Sequence, residues 1–215
     1  MESLINQAPL LSIVMPTHNR AQYAEHAISS ILSNLRDTVE LVVHDTSDDD
    51  VLASYAKGIT DSRLIYRHIR EPLSMTENYN RALQLARGEY VCVIGDDDGV
   101  SPEIEVATEW AKRNDIKILS PRVTANYVWP DFRSRFLGSA HAGRLYVKRR
   151  FSRIAQRKTG PALGRALSRA AMGTEGLPKV YHGIVRRAFL DKLASVSGSY
   201  FHGTSPDMSG AVGLA

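Results

Sequence analysis

Three consecutive carboxylates, Asp96, Asp97 and Asp98, end the apolar run Tyr90-Val91-Cys92-Val93-Ile94-Gly95. Adjacent carboxylates repel one another, so a fold that sets them at a strand end is expected to offset them with a cation. Mg²⁺ or Mn²⁺ carrying a phosphate-bearing substrate is the expected occupant. Such ions take one or two carboxylates plus substrate phosphates, and ligands of α/β sheets sit at the carboxyl ends of the strands. A solvated acidic turn is the structural alternative. A second acidic tip, Asp45 with Asp48, ends the run Leu41-Val42-Val43-His44. If both runs are strands of one sheet, both tips face one bound molecule.

The elements that must position these residues are legible as alternating periods. Leu10 to Met15 reads as a buried strand ending at Pro16, followed by Ala24, Ala27, Ile28, Ile31, Leu32 and Leu35 at helical spacing. After the Asp45 strand, Val51, Leu52, Tyr55 and Ile59 predict a helix, and Leu64-Ile65-Tyr66 a short strand. Ser74-Met75-Thr76-Glu77 has the form of a capping box, opening a helix that ends at Gly88. Ser101-Pro102-Glu103 predicts a helix with an N-cap, a proline at its first position and an acid on the positive dipole end. The alternation implies an α/β fold with a mostly parallel central sheet covered by helices on both faces.

Taken together, Leu11 to Arg20, the Asp45 tip, Asn78-Tyr79-Asn80-Arg81-Ala82 and Gly88-Glu89-Tyr90 leading into Asp96-Asp97-Asp98 resemble the family 2 inverting glycosyltransferases of the GT-A fold, over about residues 10 to 118. The resemblance implies that Pro16, Thr17 and Asn19 or Arg20 contact a sugar nucleotide and that Asp45 meets its base, usually uracil. It also implies that Asp98 binds the metal, while Asp96 reaches the ribose or the metal. The family commonly has an aspartate where this chain has Gly95, which leaves open whether Asp97 shares the role. Structural readings stand beside these. Pro16 could stop a strand, Asn19 could cap a helix, and Arg81, on the first turns of a helix with Asn78, either neutralises phosphate or forms a surface ion pair. His18 has no second His or Cys at ligand spacing for a zinc site, and His44 reads as a partly buried sheet residue.

The acceptor side belongs to the carboxyl-terminal third. Family members place a catalytic carboxylate at the opening of a helix after the metal strand, which maps to Asp207 in Ser205-Pro206-Asp207, where the usual Glu-Asp is Pro-Asp. Helix capping alone also explains that acid. His182, in Tyr181-His182-Gly183 before the strand Ile184-Val185, is the reserve base for deprotonating the acceptor hydroxyl. The stretch Arg144 to Arg169 is strongly basic although the chain's net charge is only +4. A solvated basic helix interrupted by Gly160-Pro161 is its structural reading. The functional one is a mobile segment drawn to the donor diphosphate, an acidic polysaccharide or anionic lipid headgroups, with peripheral membrane contact as a further candidate.

The 215 residues suit one domain, with a nucleotide-binding half at about 10–120 and an acceptor-side half at about 121–215. The chain stops within an apolar helical pattern, so a fragment of a longer enzyme is expected. Cys92 reads as a packed thiol. Met1 to Gln7 has neither the basic nor the apolar region of a signal peptide, so a cytoplasmic protein is expected, with the inner membrane surface as the place of any lipid contact. The expected partners are a nucleotide-sugar donor, favouring a UDP-sugar, and a glycan or glycoconjugate acceptor, with no nucleic acid. A nucleotidyltransferase would need a glycine-rich phosphate loop after the first strand, and Met15 to Arg20 has none. A catalytically silent binding module is the other alternative.

Overall fold

The structure is a computed structural model that describes residues 8–121, 125–136, 138–147, 155–156, 158–169 and 173–215. These form two compact units. One runs up to Ser120 and resumes at Thr159–Ala215, and the other is Pro121–Lys158.

The first unit is built on strands β1 (Leu11–Thr17), β2 (Val39–Asp45), β3 (Leu64–His68), β4 (Tyr90–Val93), β5 (Ile118–Leu119) and β8 (Ile184–Arg186). They form one sheet in the order β3-β2-β1-β4-β8-β5, with β1 to β4 mutually parallel and β8 antiparallel to its two neighbours. Helices α1 (Ala21–Asn34), α2 (Val51–Lys57), α3 (Met75–Leu85), α4 (Glu103–Arg113), α5 (Gly160–Ser168), α6 (Arg187–Ser197) and α7 (Pro206–Gly213) complete it. Strand alternation divides the core. Leu11, Ile13, Met15, Leu41, Val43, Tyr90 and Cys92 pack with Ile28 and Ile31 of α1 and Ala111 of α4. Val14, Val42, Val91 and Val93 point the other way, onto Leu83 of α3 and Leu190 of α6. Burial on both faces is why β1, β2 and β4 read as continuous apolar runs.

Several local expectations are corrected. Pro16 does not stop β1, which runs on to Thr17; Met15 to Thr17 pair with β2 beyond the register shared with β4, an edge position where proline is tolerated. The capping box forms as expected, with Glu77 N–H on Ser74 Oγ and Glu77 Oε2 accepting from Ser74 N–H. However, α3 ends at Leu85, before Gly88. Gly88 serves a close approach instead, since a Cβ there would lie 2.5 Å from the Ser12 backbone nitrogen. Its N–H donates to Ser12 Oγ, which donates to the buried Glu40 carboxylate, itself bonded by Arg87. Helix α4 begins at Glu103, with Pro102 at the cap.

Gly160-Pro161 does not interrupt a helix but opens one, the proline occupying the first turn of α5, where its missing N–H costs nothing. Ala162 and Ala166 of that helix pack with Leu177 and Ala211. The carboxyl-terminal part of the basic stretch is therefore core-facing helix, and Lys148, Arg149, Arg150, Phe151, Arg153, Ile154 and Arg157 lie outside the described residues. The second unit is organised by a hairpin of β6 (Ala125–Tyr127) and β7 (Leu145–Val147).

Candidate active site

The carboxyl ends of β1, β2 and β4 meet on one sheet edge, with Thr17 opposite Asp45 in register. Segment Val180–His182 lies alongside the end of β4. Val93 N–H donates to Val180 O, and His182 N–H donates to Val93 O. This places Tyr181 and His182 against the aspartate triplet.

The triplet carries its own counter-charges, which amends the expectation that an external cation must offset it. Thr17 donates its hydroxyl to Asp96 at 2.7 Å, and Arg20 donates Nε to Asp96 at 2.6 Å and Nη2 to Asp97 at 2.5 Å. Asp98 Oδ2 accepts from Gly95 N–H at 2.8 Å, Tyr181 O–H at 2.7 Å and His182 Nε2 at 2.8 Å. Burial works to raise the Asp98 pKa, but these donors outweigh it and hold the carboxyl below its usual range. For Asp96 burial prevails over Thr17 and Arg20, and its pKa is raised. The ring nitrogen facing Asp98 must be protonated, because a carboxylate only accepts; in the neutral ring Nδ1 is then the basic nitrogen.

Gly95 follows from this packing. A Cβ at that position would lie 2.8 Å from the Tyr181 hydroxyl and 3.0 Å from Asp98 Oδ2. His182 holds a left-handed backbone, φ 58°, and so does Asn19, φ 55°. Non-glycine residues in that region mark positions over-determined by their surroundings.

Asp207 stands in the first turn of α7, and its Oδ1 is buried without a hydrogen-bond partner. Burial is the main cause of its raised pKa; Lys179 and His182 pull it down, and Asp98 pushes it up. The Tyr79 hydroxyl is raised by burial and then by Asp207, Asp96, Asp98 and Asp97, so all four carboxylates share one field. Tyr181 is raised by burial and by its bond to Asp98, with Tyr79 and Asp207 adding to it. Tyr79, Tyr181 and Lys179 escaped the sequence reading. Two tyrosines spaced like core residues carry no signal until the fold turns their hydroxyls toward carboxylates.

The remaining expected residues take more structural positions. Asp45 is 0 % exposed, with Oδ1 accepting from Ser47 N–H and O–H and Oδ2 from Tyr66 O–H. Asn78 is buried, donating to Thr17 O and Thr46 Oγ1 and accepting from His44 Nδ1. His44 is fully within the sheet, and burial lowers its pKa. Asn19 gives α1 no side-chain cap; its amide donates to Asp48 Oδ2, and its Oδ1 accepts from Asp48 N–H, which clips the two strand-end loops together. Pro16 contributes backbone shape at the end of β1. Arg81 forms a bidentate ion pair with Glu71 on the surface. Cys92 is a buried thiol pushed up to about 12 by burial, as expected of a packed residue.

Hard carboxylate oxygens suit Mg²⁺ or Mn²⁺, and Asp98 fits best, because its three donors meet on Oδ2 and its charge is retained. Among the described residues no group of three or more His, Cys, Asp and Glu is placed to hold a metal ion. No described helix is long and apolar enough to cross a membrane.

Known proteins resemble this chain in sequence and in fold. The chain is 36 % identical over 96 residues, 44 % of its length and 34 % of the relative's, to a protein assigned to colanic acid biosynthesis as glycosyl transferase WcaA in Escherichia coli. It is 32 % identical over 93 residues, 42 % of its length and 30 % of the relative's, to the GalNAc(5)-diNAcBac-PP-undecaprenol beta-1,3-glucosyltransferase of Campylobacter jejuni. The chain thus spans about a third of the length of these curated relatives. Its fold matches the crystal structure of TarS 1-349 from S. aureus in complex with UDP-GlcNAc, with a TM-score of 0.58 and 18 % identity over 95 % of this chain and 52 % of that one. The mostly parallel sheet with helices on both faces is the GT-A fold. Residues 12–173 match the description of Glycosyl transferase family 2, and the chain belongs to that family.

Proposed function

We propose that this chain is the catalytic domain of an inverting glycosyltransferase that moves a sugar from a nucleotide-diphosphate donor, a UDP-sugar in the first instance, to an acceptor hydroxyl in polysaccharide or glycoconjugate synthesis. The observation that carries the reading is Asp207, an acid with an unpartnered buried oxygen and a raised pKa, set in the same field as the aspartates at the end of β4. A carboxylate without a hydrogen-bond partner has an oxygen to offer a substrate proton, and a raised pKa brings its proton affinity closer to that of a working base. Tyr181 and His182 hold Asp98 anionic, while Thr17 and Arg20 orient Asp96.

Asp98 would hold Mg²⁺ or Mn²⁺ with Asp96 beside it, and the ion would supply charge neutralisation for the departing diphosphate. Arg20, at the mouth of the same edge, offers a guanidinium to phosphate once it leaves Asp97. The Thr46–Asp48 loop, fixed by Asp45 and Asn19, shapes the place for the base. For Asp45 itself to accept from a uracil imide, Tyr66 must release Oδ2. Inversion requires the acceptor oxygen to attack opposite the diphosphate, and Asp207 takes its proton, with His182 as the alternative acceptor. The names of the matched relatives, which concern colanic acid and an undecaprenol-linked glycan, support a polymer or glycoconjugate product.

Incubation of the intact chain with UDP-sugars and Mn²⁺, followed by proton NMR of the anomeric signal, tests this. An α-linked donor should give a β-configured product or free sugar. Retained configuration would remove the inverting assignment, and absence of turnover with every nucleotide sugar tried would remove the enzyme reading.

A further inference from the structure

We infer that the β6–β7 hairpin unit is a docking surface for an anionic lipid bilayer, a property independent of the donor site. Residues 121–158 contain ten lysines and arginines against the single acid Asp131, a net +9 that leaves the rest of a +4 chain at −5. The hairpin register places Ala125, Tyr127, Leu145 and Val147 on one face, because paired and alternate residues share a side. Among the described residues that face is open to solvent. Tyr127 is 46 % exposed, Leu145 61 % and Val147 60 %, and Phe136 in the connecting segment is 91 % exposed. Arg133, Arg135 and Arg144, also exposed, follow the same segment.

A two-stranded hairpin alone in water is marginal, so an apolar face of this kind calls for an occupant. The charge selects which one. A protein partner able to neutralise the exposed Arg133, Arg135 and Arg144 would itself have to be acidic there, whereas an anionic membrane offers negative charge and an apolar phase in the same surface. A polyanion such as nucleic acid would engage the arginines but leave Leu145, Val147 and Phe136 in water. Tyr127 in edge-to-face contact with Trp129, ring centroids 5.7 Å apart, adds the aromatic pair that favours the headgroup level.

The test is co-sedimentation of the intact chain with phosphatidylcholine vesicles and with vesicles of phosphatidylcholine and phosphatidylglycerol. The expected result is binding to the anionic vesicles alone, weakened by salt, and weakened by about tenfold or more in L145D/V147D, a loss worth about 1.4 kcal/mol. Because the double variant could disturb the hairpin, Phe136→Ser serves as the second variant. Its side chain is almost wholly exposed, and it should lose binding with an unchanged melting curve. Equal binding of both variants and wild type overturns the inference, as does binding to heparin without binding to anionic vesicles, which would mark a polyanion site. Concentration-dependent dimerisation by light scattering, abolished in L145D/V147D, would equally overturn it by showing that a second copy covers the face.

Discussion

Replacing Asp207 by asparagine separates the catalytic reading from the structural one, because the two predict opposite changes. The substitution keeps size and removes the charge. As general base, Asp207 should contribute about 10²- to 10⁴-fold to turnover, so D207N loses transfer by that factor with donor affinity unchanged. Stability should move the other way. Oδ1 is buried with no partner, and an unsatisfied buried polar atom costs on the order of 1–3 kcal/mol, more when charged. A neutral amide oxygen recovers part of that, about 1 kcal/mol, or roughly 2–4 °C in Tm for a chain of this size. The pH dependence fixes the sign. Because the folded pKa is raised above the ordinary value of 3.8, the ionised wild type is penalised at neutral pH, and the penalty fades as pH falls through the folded pKa toward 3.8. The advantage of D207N should therefore be greatest at neutral pH and close in acid. Kinetics with a saturating UDP-sugar and melting curves from acid to neutral pH measure both. A variant that keeps turnover within a few-fold, or loses stability at neutral pH, would show that Asp207 is only a helix-start acid.

Asp98→Asn should weaken Mn²⁺-supported nucleotide binding. It should also cost on the order of 1–2 kcal/mol, because three donors meet on the charged group. That cost is present above about pH 3.8, the ordinary Asp value, and lost as pH falls through the lowered folded pKa, so an acid series of melting curves checks it. Asp45→Ala strands Tyr66 and Ser47 in the interior and should destabilise by on the order of 2–3 kcal/mol by urea titration; a UDP-over-CDP preference that also narrows would assign the base contact to it. His182→Gly should be more stable than His182→Ala by about 1 kcal/mol, since only glycine relieves the left-handed backbone, and equal Tm values would remove that strain. Gly95→Ala should displace Tyr181 from Asp98 at a cost of about 1–3 kcal/mol, seen in calorimetric unfolding.

The parallel half of the sheet was legible because strands buried on both faces must be apolar throughout, and β1, β2 and β4 are. The two acidic strand tips were legible for the complementary reason, that carboxylates ending apolar runs are costly without a purpose. What lay beyond reach was pairing at long separation. Nothing in the order of residues says that Arg20 closes on Asp96 and Asp97, or that Tyr181 and His182 reach Asp98 across more than 80 positions. Buried polar groups were the other blind spot. Asp45, Asn78 and His44 look alike in sequence whether they face a ligand or each other, and only Tyr66, Thr17 O and Thr46 reveal that their hydrogen bonds are already spent. Gly160-Pro161 misled because the same dipeptide breaks a helix from within and starts one from its first turn.

We propose that Asp96, Asp98 and Asp207 together bind a nucleotide-diphosphate sugar through a metal and then act on it. Calorimetric titration of UDP into the intact chain with and without Mn²⁺, repeated on D98N and D207N, tests it most directly. Mn²⁺-dependent binding is expected in the wild type, with its loss or marked weakening in D98N and its retention in D207N. Binding of no nucleoside diphosphate in the presence of metal, or equal binding by D98N and wild type, would contradict it.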